Sequence, residues 1–267
     1  MNHKTTIVTA FFDIGRGNWT GVKNGQVMPF YLKRTTENYF ENFSRIAAIQ
    51  NPMVIYTEPK YHQQIIDIRE KFGLEGLTTI VEMDVFENWK PLLDKISSVQ
   101  KNPEYLKGVT QPSMPEYWNA EYVLINYLKS YFICDAIEND LIETEQTAWI
   151  DFGYARTDDT VPKNLKWEHD FGDKINFFNI KEIQNRPIVD IIKTNDVYIQ
   201  GCHIVAPTNK WHHLWNLMQL SMEELLRDSL IDDDQTLLLM SYLKDKENFK
   251  LNYVDVNNWF IIFKDYQ

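Results

Sequence analysis

A single mixed α/β domain, with a mostly parallel central sheet flanked by helices, is the fold class this sequence predicts. Three observations lead there. Across the first 150 residues, short β-branched or aromatic runs alternate with longer helical patterns, the β-α-β-α-β order of a parallel, doubly wound sheet. The 267 residues are 44% hydrophobic and 24% charged, a globular composition, and a folded chain of this size buries roughly three quarters of its extended surface. Finally, no internal repeat, low-complexity tract or long linker divides the chain. One unit over 1–267 is the economical reading, with 1–151 and 152–267 as its halves.

Taken in order, Thr5–Phe12 (TTIVTAFF) has the apolar run of a buried strand. Glu37–Gln50 follows as an amphipathic helix, with Tyr39, Phe40, Phe43, Ile46 and Ala47 on one side. Met53–Thr57 is a second strand, stopped by Pro59. Tyr61–Phe72 reads as a helix with Ile65, Ile68 and Phe72 inward, ending at Gly73. Leu77–Val81 is a third strand. Pro115–Glu138 is the longest helical pattern, opened by a proline whose missing N–H costs nothing at a first turn. Tyr117, Ala120, Leu124, Tyr127, Leu128 and Tyr131 form its apolar face; Asn119, Asn126 and Lys129 form a polar one. Thr147–Asp151 (TAWID) is a strand whose apolar run ends on a carboxylate. Residues 155–190 look irregular, either a hairpin around Gly172 or an active-site flap. Val197–Val205 is expected as a strand, Trp211–Leu226 and Asp233–Leu243 as helices, and Trp259–Phe263 as a last strand.

Charge narrows the function. With 27 Lys+Arg against 38 Asp+Glu the net charge is −11, and Lys33-Arg34 is the only adjacent basic pair. Nucleic acid is therefore not an expected partner, since phosphate backbones are bound by clustered cations. No apolar stretch approaches the roughly 20 residues of a membrane span, and the N-terminus lacks the apolar core of a signal peptide. Two cysteines, Cys134 and Cys202, give neither a disulfide framework nor a zinc spacing. A soluble cytoplasmic protein is expected, with at most peripheral contact at the inner membrane.

Three loci carry polar residues where open α/β sheets bind ligands, at the carboxyl ends of strands. The first, FFDIGRGN from Phe11, offers Asp13 and Arg16 in a glycine-rich turn but lacks the dinucleotide spacing. A plain turn with a solvated arginine fits it equally. The second, WIDFGYAR from Trp149, ends a buried strand on Asp151, costly unless that carboxylate is paired or metal-bound. Mg²⁺ or Mn²⁺ would take such an oxygen; Gly153 would leave room for a diphosphate or sugar; a pair with Arg156 is the structural alternative. The third, Asp232-Asp233-Asp234-Gln235, precedes an apolar helix. One aspartate suffices as a cap, so another is expected to meet a positive group or act as a base with a raised pKa. His203 is a candidate metal ligand and Lys129 a candidate point charge for a diphosphate, although a lone histidine is more often structural and a helical lysine solvated.

Together TIVTAFFDIGRGNW, PEYWNAEYVLINYLKSYFICDAI, WIDFGYAR and the W-x-x-L before DDDQ resemble the HtrL/YibB family, with the WlaTC-type proteins of lipo-oligosaccharide loci as its nearest-looking branch. That family is similar to GT-A-type glycosyltransferases, with a Rossmann-related fold. The resemblance implies a nucleotide-sugar donor, UDP-linked, bound by the first half through Thr9, Ala10, Phe11, Thr57 and Glu58, to which the first locus adds Asp13 and Arg16 as candidates. Lys129, Asp151 and Gly153 would meet the diphosphate, with Asp151, and His203 beside it, holding Mn²⁺ or Mg²⁺. The second half would receive a glycan or glycolipid acceptor of lipo-oligosaccharide or lipopolysaccharide type, served catalytically by Asp233, Asp234 and Gln235. Asp151-Phe152-Gly153 departs from the D-x-D pattern of such enzymes by lacking the second carboxylate. A non-catalytic binding protein of the same shape, and an actin-like ATPase or sugar kinase built on Asp13-Ile14-Gly15, remain as alternatives.

Overall fold

The computed structural model describes residues 3–267. Its nine strands are β1 (Thr5–Phe11), β2 (Val22–Lys23), β3 (Gln26–Val27), β4 (Met53–Thr57), β5 (Thr78–Glu82), β6 (Gln146–Ile150), β7 (Ile175–Asn179), β8 (His203–Pro207) and β9 (Phe249–Tyr253). The helices are α1 (Thr36–Ile46), α2 (His62–Glu70), α3 (Val85–Asn88), α4 (Lys90–Gln100), α5 (Pro103–Leu106), α6 (Ala120–Tyr127), α7 (Lys129–Glu138), α8 (Ile188–Thr194), α9 (Trp211–Arg227), α10 (Asp234–Lys244) and α11 (Ile262–Asp265). Seven strands form one mixed sheet in the order β5-β4-β1-β6-β8-β7-β9, and β2-β3 is a separate hairpin. The β5-β4-β1-β6 half is parallel; β8 runs antiparallel to β6 and β7, and β9 is parallel to β7. The first crossovers place β4 and β5 on one side of β1, while the chain later returns to place β6 on the other. The strand order thus reverses at β1, and a crevice opens at the carboxyl ends of β1 and β6.

Every residue of β4 and β6 is buried, and β1 nearly so, as expected of parallel strands covered on both faces. Alternate side chains serve two cores. Val8, Tyr56 and Trp149 face a cluster that holds Phe132, Ile133, Leu214 and Met218 from α7 and α9. Ile7, Phe11 and Ile55 face another with Phe40, Phe43 and Ile65 from α1 and α2. Thr35 caps α1 in a reciprocal capping box with Asn38.

Several expectations are corrected. The 115–138 pattern is not one helix: Pro115–Tyr117 is a single 3₁₀ turn, Asn119 caps α6, and Leu128 at ψ 0° separates α6 from α7. Phe72 lies beyond the end of α2 and is exposed, having lost its helical register. The 155–190 segment is neither a hairpin around Gly172 nor a free flap, because Trp167 and Phe171 are buried and Ile175–Asn179 is the internal strand β7. The strand expected from Val197 joins the ladder only at His203; ahead of it Ile199 makes an isolated bridge to Asn179. The edge strand is β9, while 259–263 folds into a turn leading to α11. The Tyr154 hydroxyl accepts from the Ile262 N–H at 3.0 Å and Trp167 Nε1 donates to the Tyr266 carbonyl, pinning the last residues over the sheet. Helices α3–α5 and α8 were not expected: α3, α5 and α8 are too short to show a helical period, whereas α4 is amphipathic, burying Ile96, and its pattern was legible.

Candidate functional site

At the carboxyl ends of β1 and β6 lies a cleft of about 580 Å³. Ala10, Phe11 and Asp13 reach it from β1, Asp151 and Gly153 from the turn after β6, and Asp233, Asp234 and Gln235 from the start of α10. Two loci far apart in sequence thus meet across one hollow, with the buried Lys129 between them. This lysine opens α7 and is only 4% exposed, instead of standing on a solvated face. Its Nζ donates to Asp234 Oδ2 at 2.8 Å and to the Gly201 carbonyl at 2.8 Å, and pairs with Asp151 Oδ1 at 3.0 Å. Burial alone would pull the ammonium's pKa down, but the two carboxylates outweigh it and hold the charge in place. Asp151 Oδ1 also accepts from Trp149 Nε1 at 2.8 Å. Its partner is thus Lys129; Arg156 instead lies over the Phe260 ring.

Both glycines of the site are set by close approach. A Cβ on Gly201 would fall 1.9 Å from Asp234 Oδ2, so a side chain there excludes the carboxylate. A Cβ on Gly153 would fall 2.9 Å from Tyr39 Cδ1. The room expected at Gly153 for a diphosphate is therefore filled by the tyrosine ring.

The α10 aspartates divide the work that the sequence left open. Asp233 caps the helix by accepting from Gln235 N–H, Asp232 accepts from the Thr236 hydroxyl, and Asp234 meets the positive group. Burial first, then the neighbouring Asp234, Asp232 and Glu116, pushes the Asp233 carboxyl well above its ordinary value. The Tyr122 hydroxyl lies 3.5 Å from Asp233 Oδ2.

Arginines line the same cleft. Arg16 donates to the Leu32 carbonyl and the Tyr39 hydroxyl and packs 5.0 Å from the Trp19 ring. Arg34 and Arg156 also face the cleft. Burial, then the nearby Arg34, draws Arg156 down to about 10. Among the described residues, none of these three arginines has a carboxylate within salt-bridge distance. Arg34, Tyr39, Glu116, Tyr122 and Phe260 were not among the expected site residues; Arg34 stood out only as half of the one adjacent basic pair and Tyr39 only as part of an apolar helix face, while Arg156 had its signal in WIDFGYAR.

Other expected residues lie apart. Thr9 and Thr57 are buried within the sheet, Thr57 donating to the Phe11 carbonyl. Glu58 lines a neighbouring hollow behind Phe12, accepting from Asp13 N–H and pairing with Lys60. His203 is fully buried outside the cleft lining, against Phe178 and Tyr154, and burial with the charge of Lys129 pulls it down to about 3. Among the described residues no three His, Cys, Asp or Glu side chains come together as ion ligands. At the one place where two carboxylates and a carbonyl converge, the Lys129 ammonium already stands. The residues present do not fit a resident divalent metal.

These features define an α/β protein with an aromatic-walled cleft, lined by both cations and carboxylates, at the reversal point of a mixed sheet. The chain belongs to the HtrL_YibB family, whose model, described as "Bacterial protein of unknown function (HtrL_YibB)", matches residues 3–267. It is 35% identical to Protein HtrL of Escherichia coli (strain K12) over 272 residues, 99% of this chain and 93% of that one. Among solved structures it is similar to mouse xyloside xylosyltransferase 1 in its apo form (TM-score 0.42, 11% identity, 94% of this chain and 85% of that one). It is similar to the glycosyltransferase GlyE of Streptococcus pneumoniae TIGR4 at the same score and identity, covering 94% of this chain and 45% of the other. At that score neither likeness bears on function.

Proposed function

We propose that this protein is a glycosyltransferase of the GT-A type that moves a sugar from a nucleotide-sugar donor, UDP-linked, to a glycan or glycolipid acceptor of lipo-oligosaccharide or lipopolysaccharide type. The observation that carries the reading is the set of three carboxylate-free arginines facing one cleft in a chain of net charge −11. Arg16, Arg34 and Arg156 share that lining with the carboxylates of Asp13, Glu116, Asp151, Asp233 and Asp234. Yet among the described residues none of the three is in an ion pair, which leaves their charge for an anionic group such as a diphosphate.

The chemistry follows from charge. As the bond from the anomeric carbon to the diphosphate breaks, its electron pair leaves with the nucleoside diphosphate, and Arg16, Arg34 and Arg156 stabilise that growing charge. The acceptor oxygen bonds the same carbon. For an inverting course its proton passes to the Asp233 carboxylate at the mouth of α10. Asp151 holds Lys129 at the cleft, and Gln235 supplies an amide to the sugar or acceptor hydroxyls. The indole and phenyl rings of Trp259 and Phe260 offer apolar faces for a sugar ring.

Thermal unfolding of the purified protein against a panel of nucleotide sugars tests this. A true donor at about 100 times its Kd adds about 2.7 kcal/mol of stability. Asp151→Asn is expected to fold but to lose transfer by roughly 100-fold. No stabilisation by any nucleotide sugar would reject the reading, and stabilisation without transfer to any glycan would leave a binding protein in its place.

A further inference from the structure

We infer that the Lys129 ammonium takes the place of the divalent cation in this cleft, so that donor binding is independent of metal; the inference rests on the transferase reading above. Nζ stands among three oxygens from three separate segments: Asp151 Oδ1 at 3.0 Å, Asp234 Oδ2 at 2.8 Å and the Gly201 carbonyl at 2.8 Å. An all-oxygen set with two carboxylates is the donor chemistry of a hard cation. Here the lengths are those of N–H···O bonds rather than the 2.0–2.6 Å of Mg²⁺ or Ca²⁺ to oxygen. An ammonium has three N–H donors and no acceptor; two are given to Asp234 and Gly201, and Asp151 completes the set as an ion pair.

The node is built for this occupant. Asp234 reaches it only because position 201 is glycine, and Lys129 reaches it because the break at Leu128 lets α7 begin there. A dication added at the same oxygens would meet a buried like charge within about 3 Å, where repulsion in a poorly solvated site is severe. The remaining phosphate charge is left to Arg16, Arg34 and Arg156. The single carboxylate at Asp151-Phe152-Gly153, where two would be expected of a metal-binding turn, is consistent with this assignment.

The test uses the full chain, stripped with EDTA, and calorimetry with UDP and with the donor selected in the stability screen, in EDTA and then in excess Mn²⁺. The expected result is a Kd that differs by less than about tenfold between the two conditions. Tightening of about tenfold or more by Mn²⁺ overturns the inference and leaves the transferase reading intact. No binding in either condition rejects that reading and the inference with it. Unfolding with Mn²⁺ alone supplies an independent measurement. Wild type is expected to show no shift in Tm, whereas Lys129→Gln, which frees the node while keeping an amide donor, is expected to gain a Mn²⁺-dependent rise. A Mn²⁺-dependent rise in wild type overturns the inference even if the variant fails to fold.

Discussion

Position 201 shows how far one hydrogen atom decides this site. Gly201 supplies a carbonyl to Lys129 and the space for Asp234. Gly201→Ala would place a methyl 1.9 Å from the Asp234 carboxylate and expel it, leaving the buried ammonium one partner short. Breaking a buried pair from one side typically costs 3–5 kcal/mol. Denaturant unfolding is expected to show a loss of about 3 kcal/mol, and a loss below about 0.5 kcal/mol would mean that the contact is not structural. Sequence alone marked Asp151 and the carboxylates of Asp232, Asp233 and Asp234 as residues that want a partner. It placed Lys129 on a polar helix face as a candidate point charge for a diphosphate, without pairing it to either carboxylate, because helical spacing reports which residues share a side but not which side a neighbouring element covers.

At the scale of elements, one fully buried arginine ties the parallel half together. Arg69 on α2 donates to the carbonyls of Ala47, Ile49 and Asn51 and to the Thr78 hydroxyl, joining the end of α1 to the approaches of β4 and β5. Among the described residues it has no carboxylate partner, and burial draws it down to about 10. Arg69→Leu keeps the bulk and strands three carbonyls, each costing about 1–3 kcal/mol when buried without a partner. Urea unfolding is expected to show at least about 3 kcal/mol of destabilisation; a near-neutral result would mean that water replaces the guanidinium. The elements easiest to read were those whose period matched one face, such as β1, β4, α1 and α9. The strand pattern at Trp259–Phe263 misled because its apolar residues pack onto the face of the sheet from a turn and the start of α11, Phe263 meeting Trp167 at 4.8 Å, rather than joining the sheet as a strand.

For the whole molecule, the uneven placement of acid makes stability depend on pH. Burial first, and then Asp232, raises Glu116 to about 8; burial raises Asp232 to about 7. A carboxyl whose folded pKa exceeds its unfolded value stabilises the protein while both states are protonated. That contribution is lost as pH rises through the folded pKa. The unfolded chain releases these protons near pH 4 to 5, so stability is expected to fall between about pH 5 and 8, by an amount on the order of a few kcal/mol. Tm across that range checks it, and Glu116→Gln should flatten the slope; a Tm that rises steadily to pH 8 would contradict it. Among the described residues no helix is long and apolar enough to cross a membrane.

The sequence by itself determined the alternation of strands and helices, the acid surplus, and the three polar loci at strand ends and a helix start, because each is written in local spacing and composition. Only the tertiary structure decided that Lys129 is the counter-ion of both Asp151 and Asp234, that Tyr39 fills the space beside Gly153, and that His203 lies in the core. The physical reason is that ion pairing and close packing act between atoms a few ångströms apart whose residues lie tens of positions away in the chain, 105 in the case of Lys129 and Asp234.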